Sequence, residues 1–204
     1  MNYGILAWLF RIVLGFLSGS VMYCAFLPKL LCGKDPAALS DDRNPGAANV
    51  FTHCGVVIGL LCLLLDLLKG FVPVWFAAKA LDTRNLAFAL VMLAPVLGHA
   101  IAPLNHFHGG KCITASFGVL LAVLPQTRAV FFLAGLYIFF AAVVRMRSNR
   151  RMSILVFGLF GLCAGLFLLL TGRASLALGC AAVSTTAIAR HSKFFAVISK
   201  TRNA

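Results

Sequence analysis

The chain has 204 residues, of which 61% are hydrophobic and 11% are charged, and its mean hydropathy is +0.97. A soluble domain carries about 25% charged residues, so this composition excludes a soluble globular core and predicts an integral membrane protein with the lipid bilayer as solvent. The net charge of +13 would suggest nucleic acid in a soluble protein, but in a membrane chain it indicates basic cytoplasmic loops, and we expect no nucleic-acid partner.

Seven apolar runs follow one another along the chain, and none alternates as membrane β-strands do. They cover residues 4–27, 52–80, 86–104, 112–125, 128–146, 152–170 and 174–190. We therefore predict an all-α fold, a single membrane-embedded domain over residues 1–204 with about seven transmembrane helices. The run 52–80 is either one helix kinked at Pro73 or a span with a shorter companion. The run 112–125 is short for a span and is either tilted or partly re-entrant.

The distribution of basic residues predicts the orientation of the spans. With seven spans and the N-terminus outside, one side receives 12 basic residues: Lys29, Lys34, Arg43, Lys111, Arg145, Arg147, Arg150, Arg151, Arg190, Lys193, Lys200 and Arg202. The other side receives Lys79, Arg84, Arg128 and Arg173. Because basic loops stay in the cytoplasm, we expect the N-terminus outside, the C-terminus inside, and any site facing the cytoplasm.

The segment Asn44–Asn49 precedes an apolar run and combines glycine with small residues. Such backbone can point N–H groups at an anion, and a helix beginning near Val50 would add its positive dipole end. The alternative is an ordinary turn with an asparagine N-cap.

A second polar segment follows Gly98-His99 and ends in Gly109-Gly110-Lys111 before another apolar run. Paired glycines, a lysine and a helix N-terminus suit a phosphate, although no Walker motif is present. The alternative is a metal site formed by His99, His106 and His108. They have no nearby carboxylate, and the seven cysteines include no Cys-x-x-Cys pair, so we expect no metal and no disulfide framework.

Asp66 and Lys69 lie three residues apart within an apolar run, so they share one helix face. Charges within a span are costly and are usually paired, which predicts a structural intramembrane pair over a catalytic one. The arginines at 145–151 fit a topology anchor or contacts with anionic lipid headgroups. His191 ends the last apolar run, where a histidine is either structural or catalytic.

In order along the chain, several segments match one family pattern: Gly19-Ser20, Gly33–Asp35, Asn44–Phe51, Leu65–Gly70, and Gly98-His99 through Lys111. From about residue 15 to residue 191, the chain resembles the bacterial acyl-phosphate:glycerol-3-phosphate acyltransferase family. The resemblance implies seven helices in the bacterial cytoplasmic membrane. It implies transfer of a fatty acyl group from acyl phosphate to the 1-hydroxyl of glycerol 3-phosphate, without a covalent intermediate, metal or cofactor.

The resemblance also implies site residues. Lys111 and His191 are the expected catalytic residues. The expected substrate-binding residues are Asn44, Gly46, Asn49, His99, Gly109, Gly110, Lys111, Arg147 and Ser153.

Several positions depart from the family pattern. They are Asp42 for serine, Arg43 for glycine, Ala48 for threonine, Thr52 for arginine, Cys112 for glycine, Ala115 for threonine, Arg150 for serine and Phe194 for asparagine. The departures at Asp42, Arg43, Thr52 and Phe194 predict an altered acceptor site, because a carboxylate repels a phosphate dianion. The alternatives are therefore a relative with a different acceptor, a non-enzymatic protein that binds lipid or a partner, and a small transporter or flippase.

Overall fold

The computed structural model describes residues 4–192, and all regular structure within them is helical, which confirms the all-α prediction. The helices are α1 (Ile5–Ser20), α2 (Tyr23–Cys32), α3 (Ala47–Cys54), α4 (Val56–Ala80), α5 (Phe88–Ile101), α6 (Ile113–Ala122), α7 (Ala129–Ile138), α8 (Asn149–Leu170) and α9 (Ala174–His191). A 3₁₀ turn at Pro103–Asn105 follows α5, and a π-helical turn at Phe139–Val143 continues α7.

Three helical segments within the described residues are long and apolar enough to cross a membrane. They are α4, the segment Phe88–Asn105, and α8. The pair α1 and α2 would make a fourth span, although its two halves are bent by 42°. The other apolar helices, α6 and Ala129–Val143, are shorter. The count of seven spans therefore stays a prediction.

A break near the start of the apolar run 52–80 separates the short helix α3 from the long helix α4. The break falls at Gly55, whose φ of 86° is a conformation that favours glycine, so α3 ends at Cys54 and α4 begins at Val56. Pro73 lies inside α4, which continues to Ala80. Nearly the whole run is therefore one long helix that contains Pro73, and the short helix before it lies mostly outside the run.

The outer surface of the bundle is strongly apolar. Val57, Leu170 and Leu162 are 81%, 79% and 69% exposed, while Phe157 and Phe160 are fully buried in the core. Large side chains with this exposure belong against lipid, because water would disfavour so continuous an apolar surface. The distribution agrees with an integral membrane protein.

Close helix contacts hold the bundle together. The pairs α1 with α5, α4 with α6, α5 with α9 and α8 with α9 pack against each other. A Cβ atom at Gly98 would overlap the carbonyl oxygen of Phe16, and one at Gly118 would overlap that of Leu67. Small residues at such crossings let helix backbones approach closely in a membrane. These contacts fix the helix ends that surround the candidate site.

The buried pair Asp66–Lys69 ties α4 to the break between α1 and α2. The Lys69 Nζ atom lies 2.8 Å from Asp66 Oδ1, and the two side chains are 1% and 2% exposed. Lys69 also donates a 2.6 Å hydrogen bond to the carbonyl oxygen of Val21, and Ser18 Oγ donates one of 2.9 Å to the carbonyl of Lys69. The lysine thus supplies a donor where the backbone leaves helical geometry.

Candidate active site

A cavity of about 400 Å³ lies at the end of the bundle where the loops before α3 and α6 meet the start of α8 and the end of α9. Its polar lining consists of Asp42, Asn44, Asn49, Asp66, His99, Lys111, Thr114, Tyr137, Asn149, Ser153 and His191. Its apolar lining includes Phe51, Leu63, Ile113 and Met152. The cavity lining therefore combines charged and polar groups with apolar side chains.

A second groove, of about 390 Å³, lies between α7 and α8. Its lining is mainly apolar, with Phe132, Ala164 and Phe167 along the walls and Arg128 at one end. It lacks a grouping of ionisable side chains such as the first cavity has, so the chemistry belongs to the first cavity.

Asp42 and Lys111 form an ion pair at this cavity. Lys111 Nζ lies 2.5 Å from Asp42 Oδ2, while Asn49 Nδ2 and the backbone N–H of Asn44 donate to Asp42 Oδ1 at 2.8 and 3.2 Å. Burial raises the pKa of the Asp42 carboxyl, but the hydrogen bonds from Lys111, Asn49 and Asn44 outweigh it and lower the pKa from 3.8 to about 2. The carboxylate is therefore charged at neutral pH.

Asn44 and Asn49 shape the loop before α3. Asn49 Nδ2 donates to the carbonyl oxygen of Asn44 at 2.8 Å and to Ser40 Oγ at 3.0 Å. The residue before α3 is Gly46, and no side chain caps the helix. The asparagine N-cap interpretation is therefore wrong for α3, and Asn49 closes the loop from within the helix.

The glycine pair before Lys111 packs directly on α5. The backbone N–H of Gly110 donates to the carbonyl oxygen of His99 at 3.1 Å. A Cβ atom at Gly110 would overlap the His99 imidazole, and one at Gly109 would overlap the carbonyl of Ala100. Both glycines are buried, and neither lines the cavity. They bring the loop close to α5, so that Lys111 enters the cavity beside His99.

Arg190 links α9 to the same loop, a contact that the sequence analysis missed. Its Nε atom donates to the carbonyl oxygen of Gly110 at 2.9 Å, and its Nη2 atom donates to that of Gly109. Both carbonyls immediately precede Lys111 along the chain. The sequence offered one signal, the position of this arginine next to His191.

His191 and Ser153 reach the cavity from the last two helices. His191 is 5% exposed, and its Nδ1 atom lies 2.9 Å from the carbonyl oxygen of Ala187. Its own carbonyl accepts a 2.6 Å hydrogen bond from Arg150 Nε. Tyr137, which the sequence analysis did not select, donates to Ser153 Oγ at 3.1 Å.

Other predicted residues lie outside the cavity. Arg43 and Arg147 are exposed and do not line it. Thr52 donates back to the carbonyl oxygen of Ala48 at 3.1 Å on the surface of α3. Phe194 lies outside the described residues. Of the four residues in the predicted altered acceptor site, Asp42 is the one that the described structure places at the cavity.

The chain is similar over most of its length to known proteins. The family model described as Glycerol-3-phosphate acyltransferase matches residues 9–200. A glycerol-3-phosphate acyltransferase of Maridesulfovibrio salexigens is 32% identical over 166 residues, covering 81% of this chain and 80% of the relative. One from Thermotoga petrophila is 38% identical over 131 residues, 64% of this chain and 65% of the relative. The match to one from Desulfovibrio desulfuricans, 39% identical, spans about half of that relative, 48% of its length.

Two solved structures share the fold. They are the glycerol 3-phosphate and lysophosphatidic acid forms of PlsY (YgiH), an integral membrane glycerol 3-phosphate acyltransferase. The sequence identities are 28% and 26% and the TM-scores 0.77 and 0.75, with 96% of this chain and 93% of each PlsY chain covered. This chain is therefore a multi-pass integral membrane protein that belongs to the glycerol-3-phosphate acyltransferase family.

Proposed function

We propose that this protein transfers a fatty acyl group from acyl phosphate to the 1-hydroxyl of glycerol 3-phosphate, giving lysophosphatidic acid for phospholipid synthesis. One observation carries the proposal. One cavity collects Lys111, His99, Ser153 and His191 from four separate segments and is also lined by apolar side chains, in a chain of this family.

The reaction needs positioning and charge stabilisation more than a strong nucleophile. Acyl phosphate is a mixed anhydride, so the acceptor hydroxyl attacks its carbonyl carbon directly. A new ester C–O bond forms, the bond between the acyl carbon and the phosphate oxygen breaks, and the hydroxyl proton leaves with inorganic phosphate. Because charge develops on that phosphate, a lysine held by a rigid loop lowers the barrier, which is the role we propose for Lys111.

We propose that His191 orients the acceptor hydroxyl. With its Nδ1 proton donated to the carbonyl of Ala187, the imidazole presents Nε2 as a hydrogen-bond acceptor. Ser153 and Asn49 add further polar groups to the lining of the same cavity. These side chains supply the donors and acceptors that a small polyol phosphate requires, and we assign them to substrate binding together with Asn44, Gly46 and His99.

The apolar residues of the cavity lining suit the acyl chain. Phe51, Leu63, Ile113 and Met152 line it beside the polar groups. A fatty acyl chain placed there keeps its methylene groups away from water, at about 0.8 kcal/mol for each CH₂ buried. The donor thus enters with its phosphate toward Lys111 and its chain against these apolar side chains.

We infer that residues 1–204 form a single domain embedded in the bacterial cytoplasmic membrane. Its cavity faces the cytoplasm. With seven spans and the N-terminus outside, the loop and helix-end segments that line the cavity belong to the side that carries 12 basic residues against 4 on the other. A C-terminal fluorescent-protein fusion should therefore fluoresce, while a C-terminal alkaline phosphatase fusion should stay inactive. The reverse pattern would overturn the orientation.

An acyl-transfer assay tests the activity. Purified protein should convert palmitoyl phosphate and glycerol 3-phosphate to lysophosphatidic acid, detected by mass spectrometry. Lys111→Ala should lower kcat/KM by about 100-fold or more, because a charge-stabilising group is removed. The matched control is Lys79→Ala, at an exposed lysine near the end of α4, which should retain activity. Folded wild-type protein without acyl transfer would overturn the proposal, and solute flux in proteoliposomes would favour a transporter.

A further inference from the structure

The Asp42 carboxylate is held as a bound anion would be. Four donors reach its oxygens: Lys111 Nζ at 2.5 Å, Asn49 Nδ2 at 2.8 Å, and the Asn44 N–H and Ser40 Oγ at 3.2 Å. A cation, an amide, a backbone N–H and a hydroxyl are the usual partners of a phosphate in proteins. The loop 40–49 and Lys111 thus form an anion-binding set that the chain occupies with its own side chain.

The charge balance of the cavity lining shows why the Asp42–Lys111 pair matters for phosphate binding. Among the described lining residues, Lys111 is the one lysine or arginine, and Asp42 neutralises it. The other charged lining group, Asp66, is paired with Lys69. A phosphate monoester therefore meets a cavity whose accessible positive charge is already matched by a carboxylate.

The Asp42 side chain is exposed enough to turn away from Lys111. Its side chain is 44% exposed and that of Lys111 is 31% exposed, so both reach solvent. Ion pairs with this exposure are weak, so a ligand of higher charge can displace the carboxylate. A phosphate offers three oxygens and up to two charges to the same donors, whereas the carboxylate offers two oxygens and one charge.

We propose that Asp42 determines the specificity of the cavity, by occupying the place of a substrate phosphate on Lys111 and Asn49 and so weakening the binding of phosphate ligands. The proposal rests on the proposed function, because it concerns the same cavity. A phosphate-bearing substrate binds only as Asp42 turns away. Removing the carboxylate frees the donors and also removes its repulsion of the ligand.

The test measures phosphate binding separately from catalysis. Inorganic phosphate is titrated against Asp42→Asn and Asp42→Ser, with the concentration-dependent rise of melting temperature in detergent as the readout. Both variants should bind phosphate about five-fold or more tightly than the wild-type protein, and their KM for palmitoyl phosphate, the substrate whose phosphate we place at Lys111, should fall by a similar factor. The control Asp41→Asn, at an exposed neighbour outside the cavity, should leave both quantities unchanged.

The outcomes separate the two proposals. Phosphate affinity that is unchanged or lower in both Asp42 variants would overturn the role of Asp42, even if acyl transfer is observed. Tighter phosphate binding in the variants would support it, even if neither the variants nor the wild-type protein transfers an acyl group. Adding Lys111→Ala to Asp42→Asn should abolish the gain, because phosphate would then lack its cation. A gain that survives this second substitution would also contradict the proposal.

Discussion

Arg190 Nε donates a 2.9 Å hydrogen bond to the carbonyl oxygen of Gly110, across 80 residues of sequence. The contact joins the end of α9 to the loop that presents Lys111. Since the guanidinium also donates to the carbonyl of Gly109, two successive peptide groups are held by one rigid fork. Arg190 is thereby a positioning residue for Lys111, without lining the cavity itself.

Replacing Arg190 tests this positioning role. Arg190→Ala should lower kcat/KM for acyl transfer by about 10- to 100-fold, because a displacement of about 1 Å at a catalytic group costs that much. Arg190→Lys should recover part of the loss, since an ammonium can donate to one of the two carbonyls. Arg84→Ala, at an exposed arginine between α4 and α5, is the control and should stay near wild type. Unchanged kinetics in Arg190→Ala would contradict the role.

Gly110 offers a second test of the same loop. Gly110→Ala should displace the loop from α5, because the added Cβ atom overlaps the His99 ring. We expect lower acyl-transfer activity and a lower melting temperature. Gly158→Ala is the matched control, because a Cβ atom there meets nothing within 4 Å, and alanine is about 1 kcal/mol more favourable than glycine in a helix. A Gly110→Ala protein as active and stable as Gly158→Ala would show that close packing at the loop is unimportant.

The helices could be predicted from sequence because apolar runs are strong local signals. The runs 152–170 and 174–190 reappear as α8 and α9, with ends shifted by at most three residues. The family pattern likewise indicated Lys111 and His191, which the structure places at one cavity. The break at Gly55 was less accessible, because an isolated glycine in an apolar run fits a helix, a kink or a break equally well.

The sequence gives almost no indication of which distant residues are in contact. Asp42 and Lys111 are 69 residues apart, and nothing in their neighbourhoods indicates that they pair. The sequence alone indicates that Asp42 repels phosphate, whereas the structure shows that it also neutralises Lys111. Arg190 was counted as an orientation charge, because side-chain hydrogen bonds to a distant backbone have no periodic pattern. Such contacts depend on how the helices cross, which local propensity does not determine.

The Asp42–Lys111 pair makes a specific prediction for pH. The folded pKa of Asp42, about 2, lies below its ordinary 3.8, so its contribution to stability is fully present above pH 3.8 and is lost as pH falls through about 2. Because the pair is partly exposed, the contribution should not exceed about 1 kcal/mol. The melting-temperature difference between the wild-type protein and Asp42→Asn should therefore be constant from about pH 5 to 8 and shrink only under stronger acid. If this melting-temperature difference changed between pH 5 and 8, a group other than Asp42 would be responsible for it.

The Asp66–Lys69 pair should dominate stability among the charged residues of the spans. Lys69→Met leaves the Asp66 carboxylate buried without its cation and removes the donor to the carbonyl of Val21. Breaking a buried pair in this way costs about 3–5 kcal/mol. Lys79→Met, at an exposed lysine over the Trp75 ring, should cost about 1 kcal/mol or less, and thermal melting in detergent compares the two.

The double variant Asp66→Asn/Lys69→Met distinguishes a structural pair from a catalytic one. Removing both charges eliminates the unpaired carboxylate, so stability should recover to within about 1–2 kcal/mol of the wild-type protein. Asp66 also lines the cavity, so the activity of this variant tests whether Asp66 acts on substrate. If the pair has only a structural role, in which each charge neutralises the other, the restabilised protein should transfer acyl groups at nearly the wild-type rate. A stable double variant that has lost activity would place Asp66 among the residues that act on substrate, since folding could no longer explain the loss.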